Sequence, residues 1–111
     1  MKNTRLAQLR GFLRDQPDDP FLKYALATEY LKLGDADNAL TGFEGLLRDH
    51  ADYLGTYYHL GKLYEQLGRI ADAEETYTAG IQLAGQLGNQ HAMRELRAAL
   101  EAVRDEEDDE A

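Results

Sequence analysis

The chain has 111 residues, 43% of them hydrophobic, no Cys and a formal net charge of -9 at pH 7. That length holds a single domain; the missing cysteines exclude disulfides and thiolate chemistry, and the acidic balance lacks the basic footprint that nucleic-acid binding requires. No run approaches the roughly 20 apolar residues that cross a bilayer, and Lys2 and Arg5 are not followed by the apolar stretch of a signal peptide, so a cytoplasmic location is the default expectation.

Residues 4–16 read as the first helix. Its Leu9, Phe12, Leu13 and Pro17 recur 34 residues later as Phe43, Leu46, Leu47 and Ala51, so it looks like the second half of a unit whose first half is missing, a half-repeat cap. Pro17 and Pro20, with Asp18 and Asp19 between them, end this helix and start the next, because proline cannot continue a helix but suits its first turn.

Residues 20–53 and 54–87 then form two copies of one unit. Leu26, Ala27, Tyr30, Gly34, Ala39 and Phe43 recur as Leu60, Gly61, Tyr64, Gly68, Ala73 and Tyr77. Leu26/Leu60 and Tyr30/Tyr64, four apart, share one helix face. Ala27/Gly61 is small and lets a second helix approach, on which Ala39/Ala73 supplies the matching small contact and Phe43/Tyr77 fills the space left. Gly34 and Gly68 stand where the first pattern stops, as glycines in the left-handed conformation do after a helix end. Each unit reads helix, glycine turn, helix. The segment from Ile70 to Leu87 has no break, which predicts a longer helix ending near Gly88.

The last helix is predicted over about Gln90 to Arg104, with Met93, Leu96, Leu100 and Val103 as its apolar stripe. Its other faces carry Arg94, Glu95, Arg97, Glu101 and Arg104, which suits a capping helix over residues 89–104 that packs inward and stays soluble outward. Six of the 21 acidic residues lie in 105–110, leaving 15 acidic against 12 basic residues elsewhere, a balance of -3. Such a block repels itself and buries no apolar surface, so residues 105–111 are expected to be a disordered acidic tail, a solubilising terminus or an arm for a basic partner.

The pattern Tyr57, Leu60, Gly61, Tyr64, Gly68, Ala73 and Tyr77 resembles the tetratricopeptide repeat closely. The first copy departs from it at Lys23, where the family usually places an aromatic, and at Ala27, which replaces glycine. The resemblance covers most of the chain and implies an all-α fold, a right-handed superhelix of antiparallel helix pairs, with about six helices closed by the C-terminal cap. It also implies a binding role. In that family the first helix of each pair lines a concave groove, which would place Phe21, Tyr24, Thr28, Tyr53, Tyr58 and Lys62 in a tyrosine-lined surface that takes a peptide or helical segment of a partner protein. Tyrosine suits recognition because it offers a large apolar face and a hydroxyl while freezing few rotors; the alternative is that these rings pack as core. The family's carboxylate clamp needs Lys followed four residues later by Asn, whereas the positions here hold Tyr24 and Thr28, then Tyr58 and Lys62. Only Lys62 fits, so chaperone-tail binding is not supported.

Catalytic and metal chemistry find no matching motif. His50, His59 and His91 lack a second ligand at metal spacing. Asp35, Asp37 and Asn38 begin like a calcium loop, but Leu40 stands where that loop needs its turn glycine, and the acids suit a helix start instead. Gly42 and Gly45 lie within a helical pattern, without the Lys-Ser/Thr of a phosphate loop. The expectation is a non-enzyme without metal or cofactor, bound to neither nucleic acid nor membrane. A rival reading is self-association: two and a half repeats lie near the lower limit for a stable solenoid, and a weak homodimer through the groove or an open end would add burial.

Overall fold

The computed structural model describes residues 4–110, the side chains of 108–110 excepted. Among the described residues there are six helices, α1 (Thr4–Asp15), α2 (Pro20–Lys32), α3 (Ala36–Asp49), α4 (Gly55–Gln66), α5 (Ile70–Leu87) and α6 (Gln90–Glu110), and no strand.

The turns explain the helix boundaries. Asp19 caps α2, its carboxylate accepting from the Leu22 amide at 3.2 Å, and Pro20 occupies the first turn, where its missing N–H costs nothing. Asp35 caps α3 in the same way, accepting from the Asn38 amide at 3.1 Å and from Asn38 Nδ2 at 2.7 Å. At the other ends Gly34, Gly68 and Gly88 have φ of 78°, 75° and 69°. Each turns the chain back so that the next residue's amide reaches a carbonyl of the last helical turn: Asp35 to Tyr30 at 2.9 Å, Arg69 to Tyr64 at 2.8 Å and Asn89 to Ala84 at 2.9 Å.

The chain divides into two compact units, one up to Thr56 and one from Tyr57 onward. In the first, α2 packs against both α1 and α3. Leu9, Leu22 and Ala25 form a core with Leu13 and Leu26 against it, while Ala27 and Gly42 meet so closely that a Cβ on Gly42 would lie 3.0 Å from the Ala27 Cβ. Phe43 fills the remaining space and is fully buried.

The second unit pairs α5 with α6 and sets α4 against α5. A Cβ on Gly61 would stand 2.6 Å from Tyr77 Cζ and 2.7 Å from Cδ1, closer than any real contact, so the Tyr77 ring lies against the bare α4 backbone. Tyr77 is fully buried and its hydroxyl donates to Glu65; burial first, and that bond second, push its ionisation far above the ordinary value. Gly80 works likewise, with Tyr57 Cβ 2.7 Å and Leu96 Cδ1 3.0 Å from where its own Cβ would be.

One boundary differs from expectation. The helix predicted to stop at Arg104 continues to Glu110, so residues 105–110 of the expected disordered tail are helical, and residue 111 lies outside the described residues. The physical reason is that no Gly or Pro follows Arg104 to end the helix, and Val103, 1% exposed, fixes the turn from which the acidic residues propagate.

Candidate functional site

The predicted surface residues divide into groups with different surroundings. In the second unit, Tyr58 and Lys62 are four apart on α4 and share a face. Tyr58 is 36% exposed, and the Lys62 ammonium lies 5.6 Å from its ring centroid, within cation–π range. Lys62 also approaches Glu65 at 3.7 Å. Across from them α6 contributes Glu95, Ala98, Ala99 and Ala102, and the two helices enclose an open groove of about 280 Å³.

That groove has an alanine floor, one tyrosine wall and a rim with a cation and a carboxylate. Small side chains on α6 leave its backbone close to the groove surface, and the Tyr58 ring presents an apolar face beside them. His91 Nε2 lies 3.3 Å from Glu95 one turn along α6, and both side chains are exposed. The edge of the Tyr58 ring is set by His59, whose ring stands nearly perpendicular at 5.9 Å. Burial pushes the His59 imidazole below its ordinary range and keeps it neutral.

In the first unit the picture is different. Tyr24 is half-buried, edge-on to Phe43 at 6.3 Å and tilted against Tyr53 at 5.3 Å, and a Cβ on Gly55 would come within 3.1 Å of its Cε1. Burial raises the ionisation of both Tyr24 and Tyr53. Thr28 donates its hydroxyl to the Ala25 carbonyl at 2.9 Å, which turns it toward its own helix. Phe21 stands 58% exposed in the first turn of α2. Tyr58 and Lys62 therefore come together in one groove, Tyr24 and Tyr53 come together as a ring cluster, and Phe21 and Thr28 join neither.

Sequence reasoning missed the α6 side of the groove. Ala98 and Ala102 are four apart and flank the apolar stripe of that helix, a signal of close approach that was readable beside Leu96 and Leu100. The histidines serve as local partners: His50 Nε2 lies 3.1 Å from Asp18, whose carboxyl is held well below the usual range by Lys23 first and His50 second.

The helix–glycine–helix unit, its 34-residue recurrence and the Gly61–Tyr77 contact define a helical-repeat protein. Residues 30–100 match the sequence profile of the tetratricopeptide repeat, and the chain belongs to that family. It is 49% identical to a tetratricopeptide repeat domain protein of Salinibacter ruber, whose crystal structure it matches with a TM-score of 0.76 over 78% of this chain and 97% of that one. A TPR repeat-containing protein of Pseudomonas aeruginosa is 26% identical over 92 residues, 83% of this chain and 88% of its own length. A Bordetella parapertussis protein with 24% identity shares the fold at a TM-score of 0.80, covering 96% of this chain and 91% of that one.

Proposed function

We propose that this chain is a protein-interaction module whose second unit receives a peptide or helical segment of a partner protein in the groove between α4 and α6. The observation that carries the reading is the groove itself: an exposed tyrosine and a lysine face a floor of alanines, with a carboxylate at the rim. Helical repeats of this family act in general as protein–protein interaction modules, which supports the reading without naming the partner. A segment with small or apolar residues at helical spacing fits an alanine floor, and its polar flanks would meet Lys62 and Glu95.

Among the six predicted residues, Tyr58 and Lys62 carry the recognition role. Tyr24, Tyr53, Phe21 and Thr28 belong to the first unit, where Tyr24 and Tyr53 are engaged with each other. The test is affinity capture from a lysate of the source organism with three baits: the intact chain, Tyr58→Ala and Ala102→Trp, the last filling the groove. A protein held by the intact chain and lost with both folded variants supports the reading. Equal capture by all three contradicts it, and recovery of further copies of the chain alone turns it to self-association.

A further inference from the structure

The two repeats differ at the position of Tyr57, and the difference leaves a hole. In the second repeat Tyr57 is buried and packs across Gly80 of α5. Thirty-four residues earlier stands Lys23, whose ammonium reaches the Asp18 carboxylate at 2.9 Å instead of filling the helix pair. Leu46, the counterpart of Gly80, recovers part of the lost volume. Gly42 and Gly45, however, stand where the second repeat has Thr76 and Ala79, so one wall of the pair is stripped.

What remains is an open cleft of about 210 Å³ between α2 and α3, floored by Leu26, Ala27 and Leu46. An apolar cavity of about 150 Å³ already accepts a benzene ring. A Cβ on Gly45 would meet nothing nearer than Arg48 Nη2 at 3.5 Å, so the space beside that wall is open. The rim is basic. Lys23 and Arg48 border the cleft, and a neighbouring hollow that shares Lys23 is bounded by Arg10 and Arg14. Among the residues lining the two hollows these four cations face a single carboxylate, Asp49, which pairs with Arg48 at 3.1 Å. Asp18, the partner of Lys23, adds one more, so a positive excess persists on a chain whose net charge is -9.

We propose that the α2–α3 cleft seats an aromatic side chain from an acidic segment of a partner protein, in the place that the Tyr57 ring takes in the second repeat. The ring supplies apolar contact with Leu26, Ala27 and Leu46 at little rotor cost. Acidic flanks meet Arg10, Arg14, Lys23 and Arg48, which fixes orientation and makes the association weaken with salt. This surface is separate from the α4–α6 groove, and either can fail without the other.

The test uses three short capped peptides: Phe within Asp and Glu, the same peptide with Ala for Phe, and Phe within Lys and Arg. Titration is followed by ¹⁵N chemical shifts. The acidic Phe peptide should bind saturably and shift the amides of Ala27, Gly42 and Gly45. The Ala peptide should bind at least about tenfold more weakly, the range of a lost anchor residue, and the basic peptide should not bind. Lys23→Tyr and Gly45→Leu fill the cleft from opposite walls, and Gly45→Leu keeps every cation. Each variant that folds should melt no lower than the parent and lose about tenfold or more in affinity; if Lys23→Tyr does not fold, Gly45→Leu carries the comparison. Binding unchanged in a folded, filled variant overturns the proposal. So does equal binding of the Phe and Ala peptides, absence of binding at millimolar peptide, or a loss produced by Tyr58→Ala instead.

Discussion

Gly61→Ala should destabilise this protein, although the same change in an exposed helix interior stabilises by about 0.5–1 kcal/mol. The added Cβ would stand 2.6 Å from Tyr77 Cζ and 2.7 Å from Cδ1, about an ångström inside an ordinary carbon contact. Tyr77 cannot easily yield, because its ring is fully buried and its hydroxyl is bonded to Glu65. Overpacking of this kind costs about 1–3 kcal/mol, and displacing the hydroxyl leaves a buried polar group short of a partner at about 1–3 kcal/mol more. Set against the propensity gain, the net loss is about 1–5 kcal/mol. At about 4–8 °C per kcal/mol for a domain near this size, Tm should fall by on the order of 10 °C. The control is Gly45→Ala, where the new methyl group meets only the flexible end of Arg48 and stability should rise by up to about 1 kcal/mol. The first repeat supplies the rescue: it pairs Ala27 with Phe43, both buried, and has Leu31 in place of Glu65. Gly61→Ala combined with Tyr77→Phe should therefore cost less than the sum of the single changes by about 0.5–1 kcal/mol or more in a thermal or urea double-mutant cycle. A Gly61→Ala protein as stable as Gly45→Ala, or a strictly additive double variant, would refute the packing argument.

Three further outcomes are expected. Gly68→Ala should cost about 1 kcal/mol in urea unfolding, since φ is 75° there while no atom blocks the new methyl group; the loss is backbone strain alone. Tm should decline as pH falls from 7 to 5 through His59. Its folded value lies below the ordinary 6.5, so the unfolded chain takes the proton first; that stability is complete above about 6.5 and is lost as pH falls toward the folded value, and His59→Gln should flatten the slope. Tyr24→Ala should cost about 1–3 kcal/mol by removing a ring packed on Phe43 and Tyr53, while Tyr58→Ala should stay within about 1 kcal/mol; melting curves that rank them the other way would exchange their structural roles.

The fold was legible because its determinants are local and repeated. A glycine after an apolar run, an aspartate before one and a recurrence at 34 residues each act through backbone sterics or short-range hydrogen bonds, so Gly34, Gly68, Gly88 and Asp35 could be read one at a time. The close approach at Gly61 was legible too, since a missing side chain implies a close neighbour, although the nearest neighbour is the Tyr77 ring and not the small Ala73. The end of α6 was not, because charge repulsion in 105–110 competes with the absence of any stop signal, and composition alone does not say which prevails. Tyr24 and Tyr58 illustrate the limit for the site. They are equivalent in the repeat, yet one is held among rings that include Tyr53, a residue of the connecting segment, and the other stands against the alanines of α6. The cleft at Lys23 lies further from sight: it depends on the summed volumes of Lys23 on α2 and Gly42, Gly45 and Leu46 on α3, which come together only after folding.

The most direct measurement of the central claim is a ¹⁵N shift map of the chain bound to a peptide selected from a displayed random library, repeated with Ala102→Trp. The account predicts shifts centred on Tyr58, Lys62, Ala98 and Ala102, and loss of binding in the filled variant. Shifts that avoid α4 and α6, or a selected peptide that binds Ala102→Trp as well as the parent, would contradict it.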